Sequence, residues 1–511
     1  MKTQIEKWNL YEIELVGPAD GNPFVDVELS AVFTNVEQKE DTVEVDGFYD
    51  GAGIYRVRFM PETEGTWVYE TRSNTAELNG QKGTFECISC EDNEKNHGPV
   101  RVRNKYHFAY ADGTEFYPFG TTCYAWIHQP EKIQMETLAT LSQSCFNKLR
   151  MCVFPKFYSN NSTEPYLYPY EGQAPDHWDV TKFNPEFFQH LEQSVEKLQN
   201  LGIEVDLILF HPYDKGHWGF DRMSHENDLR YLKYLIARMA SFRNVWWSLA
   251  NEYDYMEKKT KADWDDFLAF VANKDPYHHL LSIHQGDVLY DHWNPKITHA
   301  SIQLGTHNGD VELGFGVYKA HRDIYQKPVI YDEVGYEGNL MQRWGSLSAQ
   351  EVVDKYWKAA VSGVYMSHGE TFQDPKDLIW WAKGGILKGE SPARIAFLKN
   401  IIAESGTGGL EPLDHWWILN GAGCNGQYYL FYFGSTVPMQ WKFQLPAFKT
   451  PEIPMGTRFA VDVIDTWNMT VTRESKEYEI TDKDRYHYTC AGQPFVEGLE
   501  KPYMAIRIQR L

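Results

Sequence analysis

Two polar pairs, Asn251-Glu252 and Asp332-Glu333, stand at the ends of apolar runs, Val245 to Ala250 and Val329 to Val334. Paired carboxyls of this kind suit cleavage of a glycosidic bond. One protonates the leaving oxygen while the other attacks the anomeric carbon. The ends of neighbouring runs add His211, His284, His307-Asn308 and His368-Gly-Glu370-Thr371, with Tyr124, Trp126, Tyr253, Tyr331, Tyr336, Trp380 and Trp381 among them. Sugars carry many hydroxyls and flat C–H faces, so they need hydrogen-bonding groups and aromatic platforms together. A single carboxylate at such a place serves as readily as a helix N-cap; two glutamates, one preceded by Asn, are harder to explain that way. His211, His284 and His307 are three imidazoles that could hold zinc. Their separations exceed any local ligand spacing, so sugar hydroxyls are the better reading, and no metal or cofactor is expected.

The elements that must position these residues follow from the pattern around them. Apolar runs at Phe116 to Ala125, Asn147 to Phe154, Ile203 to Phe210, Val245 to Ala250, Leu280 to His284, Ala300 to Leu304, Val329 to Val334 and Gly363 to Ser367 alternate with helical stretches. Amphipathic segments such as Pro185 to Asn200, Glu226 to Ala240 and Ala349 to Val361 lie between them. This alternation predicts a parallel sheet, and eight repeats between about 117 and 400 fit a (β/α)8 TIM barrel, for which about 250 residues is typical. An open doubly wound sheet is the alternative, but no Gly-x-Gly-x-x-Gly turn follows the first strand. In such barrels the active groups lie at the C-terminal strand ends. The polar positions above occupy those ends on strands three to eight.

Both flanks read as β-structure. Val25 to Leu29 and Ile54 to Phe59 alternate, turn clusters recur, and Asn79-Gly80 is a tight hairpin signal. Beyond about 410, strand patterns return at Gln427 to Phe433, Arg458 to Ile464 and Tyr503 to Ile508. The expected class is α/β: an N-terminal β-sandwich (1–100), the catalytic barrel (101–408) and a smaller C-terminal β-sandwich (409–511).

Lys and Arg number 49 against 71 Asp and Glu, a net charge of −22, which disfavours general nucleic-acid binding. No run approaches the 18 or so apolar residues of a membrane span. The start lacks the apolar stretch of a signal peptide, and seven scattered cysteines do not resemble a disulfide framework. The expectation is a cytoplasmic protein without nucleic-acid or membrane partners. Cys87-Ile-Ser-Cys90 has the spacing of half a zinc site, and no second pair follows.

Trp247-Ser-Leu-Ala-Asn-Glu-Tyr253 resembles the acid/base strand of the retaining clan A glycoside hydrolases, and Pro328-Val-Ile-Tyr-Asp-Glu-Val-Gly-Tyr-Glu337 resembles their nucleophile strand. The likeness narrows to the apiosidase-like, cellulase-like barrel group. There strand eight often reads Gly-His-Thr-Tyr-Gly; here it reads His368-Gly-Glu-Thr-Phe372. Gly47 to Trp67 resembles the N-terminal sandwich usual in the group, and Val463 to Thr470 with Lys501 to Arg507 resembles its C-terminal one. The resemblance implies Glu252 as general acid/base and Glu333 as nucleophile, with Asp332 and Glu337 as rival carboxylates. It implies that Asn251 bonds the sugar 2-hydroxyl and that Arg150 holds Glu333 ionised, a structural ion pair being the alternative for Arg150.

The expected activity is a retaining, exo-acting β-glycosidase on oligosaccharides or glycosides. The predicted substrate contacts are Asn251, Arg150, Trp126, His211, His284, His307, Tyr336, Glu370, Trp380 and Trp381. The alternatives are a carbohydrate-binding protein with an inactive barrel, or an endo-acting glucanase or mannanase; the Tyr- and Pro-rich insertion from Phe157 to Trp178 could wall off the open cleft that the latter needs. A homo-oligomer through a sandwich flank is also open.

Overall fold

The structure is a computed structural model that describes residues 3–38, 40–90, 95–304, 314–373, 379–413 and 418–511. His307 and Asn308 fall outside the described residues.

The central sheet has eight strands, all paired in parallel: β1 (Phe119–Thr122), β2 (Lys148–Cys152), β3 (Glu204–Phe210), β4 (Val245–Ala250), β5 (Leu281–Ser282), β6 (Ala300–Gln303), β7 (Val329–Glu333) and β8 (Tyr365–His368). Their order is β5-β4-β3-β2-β1-β8-β7-β6. Between β5 and β6 the Thr298 amide donates to the Leu281 carbonyl at 2.9 Å, which brings the two sheet edges together. Every residue of β2, β3 and β4 is buried, because helices cover the outside while side chains fill the inside. The alternation of apolar runs and helices in the sequence thus reports a TIM barrel.

The outer helices start where the sequence supplies caps. Asn184 accepts from the Glu186 amide ahead of Pro185–Asn200, and Ser224 caps His225–Met239. Ser348 and Glu351 cap Ala349–Val361 reciprocally. The N-terminal end of the barrel is closed by an antiparallel three-stranded sheet, Val100–Arg103, His107–Tyr110 and Glu115–Phe116. Its Phe108 and Phe116 rings pack on Trp246 at centroid distances of 5.4 and 5.8 Å.

The N-terminal part is a sandwich of five-stranded and three-stranded sheets. Rings from the two sheets meet face to face, Tyr11 on Phe85 and Phe33 on Phe59, with centroids 4.0 and 4.2 Å apart. Two local expectations change. Val25 lies in a helical turn, Pro23–Asp26, and the strand starts at Leu29; Pro23 at the first helical position starts that turn. The hairpin containing Asn79-Gly80 is closed by the longer connection 74–81, not a two-residue turn. The C-terminal part is a β-domain whose strands Tyr428–Tyr432, Met504–Arg510 and Arg458–Asp465 lie side by side and antiparallel. The 157–178 insertion carries a hairpin strand, Tyr170–Gln173, paired with His177–Phe183; its Trp178 packs on Phe220 at 5.7 Å.

Candidate active site

The floor of the barrel mouth is ionic. Lys148 and Arg150 on β2 point inward with Asp206 on β3 and Asp332 on β7, all four side chains fully buried. Lys148 Nζ lies 2.7 Å from Asp206 and 2.8 Å from Asp332, and Ser301 and Ser367 also donate to Asp332. The lysine and arginine charges hold the Asp332 carboxyl far below the usual carboxylate range, against the effect of its burial. Asp332 is therefore a fixed counter-ion rather than a reacting group.

Both candidate carboxyls stand above this floor, each aimed by a backbone irregularity. Between β6 and β7 the register slips, so that Gln303 pairs with Glu333 directly after Ile302 pairs with Tyr331. The resulting bulge lets the consecutive residues Asp332 and Glu333 both serve the barrel mouth. After β4, Glu252 adopts a left-handed backbone with φ of 48°, a conformation that costs a non-glycine residue roughly 1–3 kcal/mol and concentrates at functional sites.

Glu333 accepts from the Tyr124 hydroxyl and lies 3.6 Å from Arg150 Nη1. Arg150 also donates to the Tyr124 oxygen and, through Nη2, to Asn251 Oδ1, both at 3.3 Å. Asn251 Nδ2 donates in turn to Glu252 Oε2 at 3.2 Å. Glu252 accepts further bonds from the Tyr213 hydroxyl and from Gln303. One network thus connects the two carboxyls through Arg150, Tyr124 and Asn251. Burial and then the nearby Glu333 charge push the Glu252 carboxyl up to about 7, despite the hydrogen bonds that favour its ionised form. An acid that keeps its proton near neutrality beside a carboxylate held by an arginine and a tyrosine is a division of labour suited to acid-assisted displacement.

Aromatic rings wall the site. Trp381 packs against Tyr124, Tyr158, Tyr336 and Trp344 with centroids 5.2–5.8 Å apart. Beside Tyr213 a cleft of about 700 Å³ is lined by Tyr213, Lys215, Asp254, Tyr255 and Lys258 among others. A larger cavity of about 900 Å³ lies between the N-terminal sandwich and the barrel helices, and neither glutamate lines either space.

Of the residues proposed from sequence, Arg150, Asn251, Glu252, Glu333, Tyr336 and Trp381 come together. Others are occupied by the protein itself. His211 uses one ring nitrogen on the Phe154 carbonyl and the other on the Tyr213 amide, so it orients the Tyr213 loop. Trp126 donates to Met151 Sδ within the core. Glu370 accepts from the amides of Lys388 and Gly389, and the rival Glu337 accepts from those of Glu390 and Ser391. The two carboxyls staple that loop at the start of the helix Ser391–Ala403. His284 is wholly buried behind Arg150 and Asp332 and is kept neutral by burial and by the arginine.

Glu337, His368 and Glu370 place three donor atoms within 4.8 Å of one another. Each of the two carboxyls already accepts a loop amide on both of its oxygens. Trp380 donates to Thr121 Oγ1, which lies 3.2 Å from His368 Nδ1. His368 Nε2 lies 3.8 Å from Glu370 Oε1, beyond hydrogen-bonding distance.

Sequence reasoning passed over Lys148, Lys156, Asp206, Tyr213 and Gln303. Lys148 and Asp206 left one legible signal, a charge two residues from Arg150 or directly across from it in otherwise apolar strands.

Comparison with known proteins agrees with this geometry. The family model described as "Apiosidase-like, catalytic domain" matches residues 102–384, flanked by two domains of unknown function, DUF5060 at 4–74 and DUF5605 at 416–509. A crystal structure from Bacteroides vulgatus ATCC 8482, assigned as a glycoside hydrolase, is 43% identical over 100% of both chains with a TM-score of 0.94. A family 5 glycoside hydrolase from the same organism is 13% identical with a TM-score of 0.54, covering 81% of this chain and 94% of its own, and shares the fold. No curated protein matches. The chain belongs to the apiosidase-like family, and it is a glycoside hydrolase.

Proposed function

We propose that this glycoside hydrolase is a retaining, exo-acting β-glycosidase that works on small oligosaccharides or glycosides in the cytoplasm. The observation that carries the reading is the single network joining Glu252 and Glu333, close enough for the Glu333 charge to raise the Glu252 carboxyl. In the first step a Glu333 oxygen bonds to the anomeric carbon while the glycosidic C–O bond breaks and the Glu252 proton passes to the leaving oxygen. In the second, the Glu252 carboxylate takes a proton from water, whose oxygen bonds to the anomeric carbon as the Glu333 ester breaks. Asn251, fixed by Arg150, is the group for the sugar 2-hydroxyl. In this reading the aromatic wall around Trp381, whose member Tyr124 bonds Glu333, closes one side of the carboxyl pair and favours exo action, and the cleft beside Tyr213 and Tyr255 is the place for the leaving group. Seven free thiols fit a reducing compartment.

The test is proton NMR of a fresh reaction with a 4-nitrophenyl β-glycoside, read before mutarotation. The β-anomer as first product supports double displacement, and the α-anomer overturns it. Release of single sugars from the end of an oligosaccharide, with no drop in the viscosity of a glucan or mannan, supports exo action; a rapid drop in viscosity favours the endo alternative.

A further inference from the structure

Lys156 lies just beyond β2 in the loop toward the barrel mouth, and it is almost wholly buried. Its ammonium sits 3.7 Å from the centroid of Tyr124 and 4.1 Å from that of Tyr213. These are the two tyrosines whose hydroxyls hold Glu333 and Glu252 respectively. Tyr158 and Trp381 complete the surround at 5.1 and 5.9 Å. The loop is anchored independently of the ammonium, since Asn161 donates to the Lys156 carbonyl at 2.9 Å.

Ring faces stabilise the charge of an ammonium but do not replace its hydrogen bonds. Among the described residues no carboxylate or other acceptor takes any of its three N–H groups, whereas the four charged side chains on the floor below are ion-paired with one another. A desolvated cation with unused donors between two reacting carboxyls is built for an oxygen that arrives with the substrate.

We propose that Lys156 is a substrate-contacting, specificity-determining residue, whose ammonium donates to a hydroxyl of a neutral sugar bound between Glu252 and Glu333. The inference rests on the glycosidase reading. Formal charge favours a neutral sugar over a uronate. Lys148, Arg150 and Lys156 balance Asp206, Asp332 and Glu333 when Glu252 carries its proton, and a substrate carboxylate would leave the site one negative charge in excess. The groups facing Lys156 from the surrounding elements are Arg150, Cys152, His211, Glu252 and Glu333. Its charge favours the ionised form of Glu252, so it also sets where that acid loses its proton.

The experiment compares wild type, Lys156→Met and Lys156→Arg as full chains. Hydrolysis is measured with 4-nitrophenyl β-glycosides of glucose, galactose, mannose, xylose, arabinose and glucuronic acid, and inhibition with the corresponding free sugars. Loss of hydrogen bonds from a charged donor should raise the inhibition constant of the preferred sugar by about ten- to a hundredfold in Lys156→Met. The basic limb of kcat/KM should move to higher pH in the same variant, because Glu252 loses a cation that favours its ionised form. Lys156→Arg should return the limb toward its wild-type position, while the weak inhibition persists because the longer, planar guanidinium does not fit the ammonium's place. An unchanged inhibition constant with an unmoved limb, even with lower thermal stability, would overturn the assignment. Preference for the glucuronide would overturn the neutral-sugar claim. Absence of both turnover and sugar binding in wild type would instead remove the glycosidase reading, and this inference with it.

Discussion

Asn251 and Glu252, adjacent in the chain, are hydrogen-bonded through their side chains, with Asn251 Nδ2 3.2 Å from Glu252 Oε2. In a regular strand consecutive side chains point to opposite faces, so this bond exists only because Glu252 leaves the strand in a left-handed conformation. Asp332 and Glu333 are brought together in a comparable way by the bulge in β7. In each pair the first residue is held by the barrel interior and the second is released toward the mouth.

Replacing Glu333 by Ala should lower kcat on an activated aryl glycoside at least about a hundredfold, as expected for loss of a nucleophile. The fold should persist, because Arg150 keeps Asp206 and Asp332 as partners. Steady-state kinetics beside circular dichroism checks both halves; retention of more than a hundredth of the rate would point to another nucleophile.

Glu252→Ala should separate substrates by leaving group. An aryl leaving group needs little protonation, so formation of the glycosyl-enzyme should survive better with nitrophenyl than with alkyl glycosides. Its breakdown should slow, and azide should restore the rate by replacing the missing base. Equal losses on both substrates with no azide effect would contradict the acid/base role.

The wild-type kcat/KM should fall as pH rises through about 7, where the buried Glu252 carboxyl loses the proton needed by the leaving group. Glu252 faces Glu333, Lys156, Tyr213, Asn251 and Gln303. The Tyr213 bond favours the ionised form. Tyr213→Phe should therefore raise the Glu252 pKa and move the basic limb to higher pH, as pH–rate profiles of the two proteins would reveal.

Lys148→Met should be among the most destabilising single changes in the barrel. It removes one cation from a fully buried cluster and leaves Arg150 as the cation that Asp206 and Asp332 share. Breaking a buried pair from one side costs about 3–5 kcal/mol. Urea unfolding would measure it, and a loss under about 1 kcal/mol would show that Arg150 suffices.

Stability itself should fall as the solution turns alkaline. Glu204, buried at the start of β3 with an acceptor bond from Trp246, has its carboxyl raised from 4.5 to about 8 by burial. The folded state then holds a proton that the unfolded chain has already released. Its stabilising effect is complete below about 4.5 and is lost as pH rises toward 8. Glu204→Gln should flatten the decline of Tm between these limits, readable by calorimetry across pH; an equal slope in both proteins would assign the decline to other groups.

Much of the architecture was legible because burial has a period. Runs buried on both faces, separated by capped amphipathic helices, leave a barrel as the natural solution, and the order of those runs puts residues 211, 252 and 333 at one end. The glutamate pair was legible for the same reason: polar residues that close apolar strands have nowhere to go but the mouth. What the linear pattern could not resolve is which of the polar residues at the mouth look inward. His211 and Glu370 meet every sequence criterion for a sugar contact, yet backbone groups consume their hydrogen bonds, the Phe154 carbonyl and the nearby Tyr213 amide for His211 and the amides of Lys388 and Gly389 for Glu370. Lys156 meets none, and only the approach of Tyr124 from the end of β1 and Tyr213 from the end of β3 puts its ammonium beside both carboxyls. Strand order follows from local chemistry repeated along the chain. The orientation of a buried polar group is decided by partners far away in sequence, because each must satisfy its hydrogen bonds wherever the fold supplies them.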